Sequence, residues 1–76
     1  MTIEQLDAAH HAKPFRPFRI HMADGSSVPV RHPEMLLRTP QGRTIVVATG
    51  EDHIEIIDLL LVTKLTFGNG RTRRSR

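Results

Sequence analysis

Read as a string of apolar and polar positions, the chain changes period once. Thr2-Ile3-Glu4-Gln5 has the capping-box spacing, in which Thr2 and Gln5 satisfy each other's backbone N–H groups. Ile3, Leu6 and His10 then recur on one helical face, with Ala8, Ala9 and Ala12 as good helix formers beside them. Pro14 ends this helix, because the residue before a proline is pushed out of the α region. So short a helix is marginal alone in water and must dock or fray. From Phe18 the period becomes two. Phe18-Arg19-Ile20-His21-Met22-Ala23 alternates apolar and polar positions, as a half-buried strand does. Asp24-Gly25 is a hairpin signal, and Ser26-Ser27-Val28-Pro29-Val30-Arg31 returns with Val28 and Val30 on one face. Pro29 has no N–H to give to a ladder, which predicts an edge strand or a bulge at that point.

Further along, His32-Pro33-Glu34 reads as a turn or one helical turn opened by proline. Met35-Leu36-Leu37-Arg38 fits either a helical turn or a short strand, and Pro40-Gln41-Gly42 is turn chemistry. Thr44-Ile45-Val46-Val47-Ala48 is β-branched and reads as a buried strand. His53-Ile54-Glu55-Ile56 alternates, which predicts Ile54 and Ile56 inward. Asp58 is placed to cap a 3₁₀ turn at Leu59-Leu60. Val62-Thr63-Lys64-Leu65-Thr66-Phe67 is the last strand, ended by Gly68.

Five or six short strands with hairpin-length connections are too few for two sheets of ordinary size. The pattern predicts a mainly β fold: a small, strongly bent antiparallel barrel of the SH3-like or Sm-like type, with a short N-terminal helix and a disordered C-terminal tail. A meander sheet decorated by the helix is the alternative. The domain reading is a helical arm at 1–13, a β-barrel at 14–67 and a basic tail at 68–76. The expected inward set is Phe18, Ile20, Val28, Val30, Ile45, Val47, Ile54, Ile56, Leu60, Leu65 and Phe67. A chain this short buries little, so an exposed strand such as residues 27–31 is available to pair with a second copy.

The strings PFRPFRIHMADG, VRHPE, GRTIVVAT and IEIIDLLLVTKL, spanning about residues 14–67, resemble those of a group of short uncharacterised bacterial proteins. His-Pro-Glu and Ile-Ile-Asp-Leu-Leu-Leu-Val-Thr are the most specific pieces, and Pro29 departs from the usual pattern. The resemblance implies a small bacterial domain and supplies no chemistry.

Charge divides the chain. The formal net charge is +3, yet residues 1–67 hold seven basic and eight acidic side chains and are nearly neutral. The excess lies in Arg71, Arg73, Arg74 and Arg76, within a tail that has no apolar residue to offset its ordering entropy. Such a tail would neutralise phosphates and release counterions, with Arg16 and Arg19 as further nucleic-acid-binding candidates and Arg31, Arg38 and Arg43 extending the patch. A solvated extension that aids solubility explains it as well. With no Trp or Tyr and three Phe, stacking platforms for bases are scarce, so the nucleic-acid reading is one of weak, sequence-nonspecific phosphate contact.

Other chemistry finds less support. Zero cysteines exclude a disulfide framework, a cysteine-ligated zinc finger and thiol catalysis. The five histidines lack fixed ligand spacing: His10-His11 are adjacent on a helix, and His21, His53 and Glu55 would meet only if the first and fifth strands were neighbours. Ser26 and Ser27 have no nucleophile-elbow setting, and Gly68-x-Gly70 has too few glycines for a phosphate loop. No catalytic residue, metal or cofactor is therefore expected. The acidic start of the chain lacks a secretory pattern, and Leu59-Leu60-Leu61-Val62 is far short of a membrane span. The expectation is a bacterial, cytoplasmic, non-enzymatic module that binds an unidentified protein partner or itself, with nucleic-acid binding through the arginine tail as the alternative.

Overall fold

The computed structural model describes residues 1–40 and 42–67. Gln41 of the second turn and the tail expected at 68–76, with Arg71, Arg73, Arg74 and Arg76, lie outside the described residues. Helix α1 (Ile3–His10) begins at the predicted capping box: Thr2 Oγ1 accepts from the Gln5 N–H at 3.2 Å, and Gln5 Oε1 accepts from the Thr2 N–H at 3.1 Å. The helix ends earlier than Pro14 requires, with His11 as its C-cap.

Strands β1 (Phe18–Met22) and β2 (Ser27–Val30) form the predicted hairpin. The Gly25 N–H donates to the Met22 carbonyl at 3.0 Å, and Gly25 takes φ +93°, a left-handed conformation that side chains disfavour. Asp24 Oδ1 accepts from the Ser26 N–H and hydroxyl, bonds that hold the Asp24 carboxyl below the usual carboxylate range. Pro29 lies opposite Arg19 on an edge strand. Because the Met22 N–H bonds the Ser26 carbonyl, ladder parity turns the Pro29 nitrogen away from β1, so its missing donor costs the sheet nothing.

A 3₁₀ turn at Pro33–Met35, with proline at its start, leads into β3 (Leu36–Arg38), which resolves the helix-or-strand ambiguity at 35–38 into one of each. β4 (Thr44–Ala48) and β5 (Ile54–Asp58) follow. A second 3₁₀ turn, Leu59–Leu61, is capped by Asp58, whose Oδ1 accepts from the Leu60 N–H at 3.0 Å, and β6 (Val62–Phe67) completes the order.

The strands pair antiparallel into two three-stranded sheets, β2-β1-β6 and β3-β4-β5. Among the described residues no ladder joins one sheet to the other, so the expected closed barrel is not formed. The passage from β2 to β3 runs through a 3₁₀ turn, which interrupts the extended backbone where one bent strand would have been shared by both sheets, and the passage from β5 to β6 runs through the expected turn after Asp58.

The inner faces share one core. Phe18, Ile20, Val28, Val30, Leu36, Ile45, Val47, Ile57, Leu59 and Val62 are buried, and Leu6 and Ala9 of α1 join the same cluster. The helix therefore docks rather than frays. An ion pair from Arg38 Nε to Asp7 Oδ1 at 2.9 Å ties α1 to β3, and His10 Nε2 lies 2.7 Å from the Pro33 carbonyl.

Four of the expected inward residues are corrected. Ile54, Ile56, Leu60 and Phe67 are exposed, and Leu65 is half-buried. In β5 the cause is register: Ile45 and Val47 face the core and stand opposite Ile57 and Glu55, so those two positions point inward and Ile54 and Ile56 point out. The Ile56-Ile57 doublet offered two parities, and counting apolar residues selected the wrong one.

Candidate interaction surface

The register of β5 creates the main feature of the surface. On the outer face of the second sheet, Leu37 of β3 stands opposite Val46 of β4, and Val46 opposite Ile56 of β5. Directly opposed residues in antiparallel strands have Cβ atoms about 4.5–5.5 Å apart, so these three side chains form one continuous apolar row. Ala48 and Ile54 form a second, shorter row beside it. Leu37, Ile54 and Ile56 are 64%, 58% and 69% exposed, and the three lie on one sheet face instead of standing singly. At one end Thr44 faces Asp58, which forms an ion pair with Arg43 at 3.5 Å, so both signs of charge border the apolar centre. Apolar centre and charged rim are the usual anatomy of a protein interface.

The patch continues around β5. Ile56 and Leu61 line a cavity of about 310 Å³ between this strand and the β1–β2 hairpin, together with Met22 and Val28. On β5 itself His53 Nε2 and Glu55 Oε2 are 2.6 Å apart.

The first sheet has the opposite outer face. Arg19, His21, Lys64 and Thr66 share it, and the Arg19 guanidinium donates to Ser27 Oγ at 2.8 Å. His21 Nε2 is 2.9 Å from Thr66 Oγ1; partial burial, Lys64 and Arg19 together lower the His21 pKa, disfavouring the charged imidazolium. The face is polar and basic, without an acidic residue among these positions.

The other sequence candidates disperse. Arg16 is not on that face: its guanidinium lies 5.4 Å from the centroid of the Phe67 ring, at one end of a Phe15–Phe18–Phe67 cluster. Arg38 and Arg43 are paired with Asp7 and Asp58, so five arginines do not make one patch. β1 and β5 belong to different sheets, so His21 is not brought to the His53–Glu55 pair. Among the described residues no three potential metal ligands cluster, and no helix is long and apolar enough to cross a membrane. Sequence reasoning missed the outer row itself. Its one signal was surplus: Ile54, Ile56, Ile57 and three consecutive leucines are more apolar groups than one face of a short strand and its turn can bury.

Neither family models nor curated proteins nor solved structures give a match to this chain.

Proposed function

We propose that this chain is a non-catalytic, self-associating interaction module that pairs with a second copy through the outer face of its second sheet. The observation that carries the reading is the row Leu37–Val46–Ile56, in which Leu37 and Ile56 are exposed on either side of the half-buried Val46. A two-fold interface needs a patch complementary to itself. An apolar centre meets that need, and a rim holding both Arg43 and Asp58 lets each sign meet the other across the axis.

The strand order, with two 3₁₀ turns linking the sheets, supports treating the body as an opened relative of SH3-like or Sm-like barrels, a rigid platform with contacts on its outer faces. The setting is bacterial, which the resemblance of residues 14–67 supports.

Two strands of five residues and one of three give a face of at most about 17 Å by about 14 Å. That is smaller than a standard-size specific interface, so association is weak and concentration-dependent. Sedimentation equilibrium from about 10 μM to about 1 mM tests it. The expected result is a mass rising from monomer toward dimer in the parent chain and a constant monomer mass in Ile56→Lys, with the circular dichroism of both unchanged. A parent chain that stays monomeric at the highest concentration overturns the reading.

The polar face with Arg19 and Lys64 favours a second reading, weak nonspecific nucleic-acid binding, in which these cations act with the arginines of the tail. Retention on single-stranded polynucleotide that weakens with salt, and that Ile56→Lys leaves intact, would support this reading in place of the first.

A further inference from the structure

A groove lies between α1 and β6, away from the second sheet. Its volume is about 700 Å³, and Ala8, Ala12, Leu65 and Phe67 give it apolar walls, with Arg16 and Lys64 among the lining. A cleft of this size falls in the range of about 300–1,000 Å³ common for binding sites.

One wall is the unpaired edge of a sheet. The Ala23 N–H donates to the Leu61 carbonyl, which fixes the side of β1 that faces β6: Arg19 and His21 direct their backbone groups there. Their opposites, Thr66 and Lys64, are thereby used in the ladder, and Leu65 and Phe67 direct their N–H and C=O groups outward. The same edge already accepts one donor: the Met1 ammonium reaches the Val62 carbonyl at 3.3 Å.

Charge selects the occupant. Arg16 and Lys64 form no ion pair among the described residues, and the Met1 ammonium adds a third positive group. Side chains of an added strand alternate as those of β6 do. Inward ones meet Leu65, Phe67 and the alanines, while outward ones lie on the side of Lys64, and Arg16 over the Phe67 ring reaches the far end.

We propose that this groove binds an extended segment of another protein, with apolar and acidic residues alternating, as an added strand on β6. Main-chain hydrogen bonds to Leu65 and Phe67 supply affinity, the apolar walls select side chains of modest size, and Arg16 and Lys64 select the carboxylates.

The test titrates the full-length chain, uniformly ¹⁵N-labelled, with a synthetic peptide of alternating valine and glutamate. The Leu65 and Phe67 amides are expected to shift and to gain protection from exchange. Affinity should fall about tenfold in the exposed-residue variant Arg16→Glu/Lys64→Glu, the charged rim setting encounter and specificity. A peptide with lysine in place of glutamate should leave the spectrum unchanged. Ile56→Lys should bind the peptide as the parent does, which separates this site from the self-associating face. No shifts at millimolar peptide, or equal binding of the lysine peptide, would overturn the proposal. So would the same shifts on merely concentrating the protein, since a second copy would then be the occupant.

Discussion

Ile56 and Ile57 are adjacent, chemically identical and opposite in role. Ile57 is 5% exposed in the shared core, and Ile56 is 69% exposed on the outer row. Truncating Ile57 to alanine is expected to cost about 2–5 kcal/mol, since it leaves a cavity the neighbours fill only in part. Ile56→Ala should stay within about 0.5 kcal/mol, measured on monomer at low concentration by urea unfolding. Equal losses at both positions would show the β5 register to be wrong. His21 makes a second prediction at this scale. Burial, Lys64 and Arg19 lower its folded pKa below the ordinary value, so between the two values the unfolded chain binds more protons than the folded one. The His21 contribution is whole above about pH 6.5 and is lost as pH falls through the lowered folded value. Denaturant midpoints across that window should decline with acidification, and His21→Gln should flatten the decline; a steeper decline in the variant would reverse the sign assigned here.

At the level of elements, what the sequence announced was local chemistry. The capping box at Thr2 and Gln5, the Asp24-Gly25 turn, Pro33 opening a helical turn and Asp58 capping the next all depend on residues within a few positions of one another, and each is found where expected. What stayed hidden depends on distant partners. The parity of β5 is set by β4, the separation into two sheets by which strands fail to pair, and the α1–β6 groove by segments at opposite ends of the described chain. No local period encodes these. The legible elements also predict. Thr2→Ala should lower stability by about 1 kcal/mol through loss of the cap, and the same substitution should speed exchange of the first α1 amides. Gly25→Ala has open space around the new methyl, yet φ +93° imposes about 1–2 kcal/mol of backbone strain. Asparagine there should cost less than alanine, because it tolerates left-handed geometry, and a thermal melt of the two variants would show the order.

For the whole molecule, the two outer sheet faces divide the surface by chemistry: apolar with a mixed-charge rim on β3-β4-β5, polar and basic on β2-β1-β6. Association through the first face buries mainly apolar atoms, so its driving force depends little on ionic strength and carries a negative heat-capacity change. Contact with a polyanion through the second face works by counterion release, and the logarithm of its affinity falls by about 0.7 per neutralised phosphate per logarithm of salt on single strands. The two modes therefore separate in one experiment. Between about 50 mM and about 200 mM salt, a fourfold change, the dimer dissociation constant is expected to change by less than about twofold, its surviving dependence coming from the screened Arg43–Asp58 rim. Isothermal dilution calorimetry at several temperatures should give a dissociation enthalpy that rises with temperature, the counterpart of apolar burial on association. Ile56→Lys should abolish the dilution heat altogether, while Arg19→Ala and Lys64→Ala should leave it unchanged, because their side chains belong to the other sheet. A dimer that weakens tenfold over the same salt range, or that responds to Lys64→Ala and not to Ile56→Lys, would place the contact on the basic face and remove the apolar row from the interface.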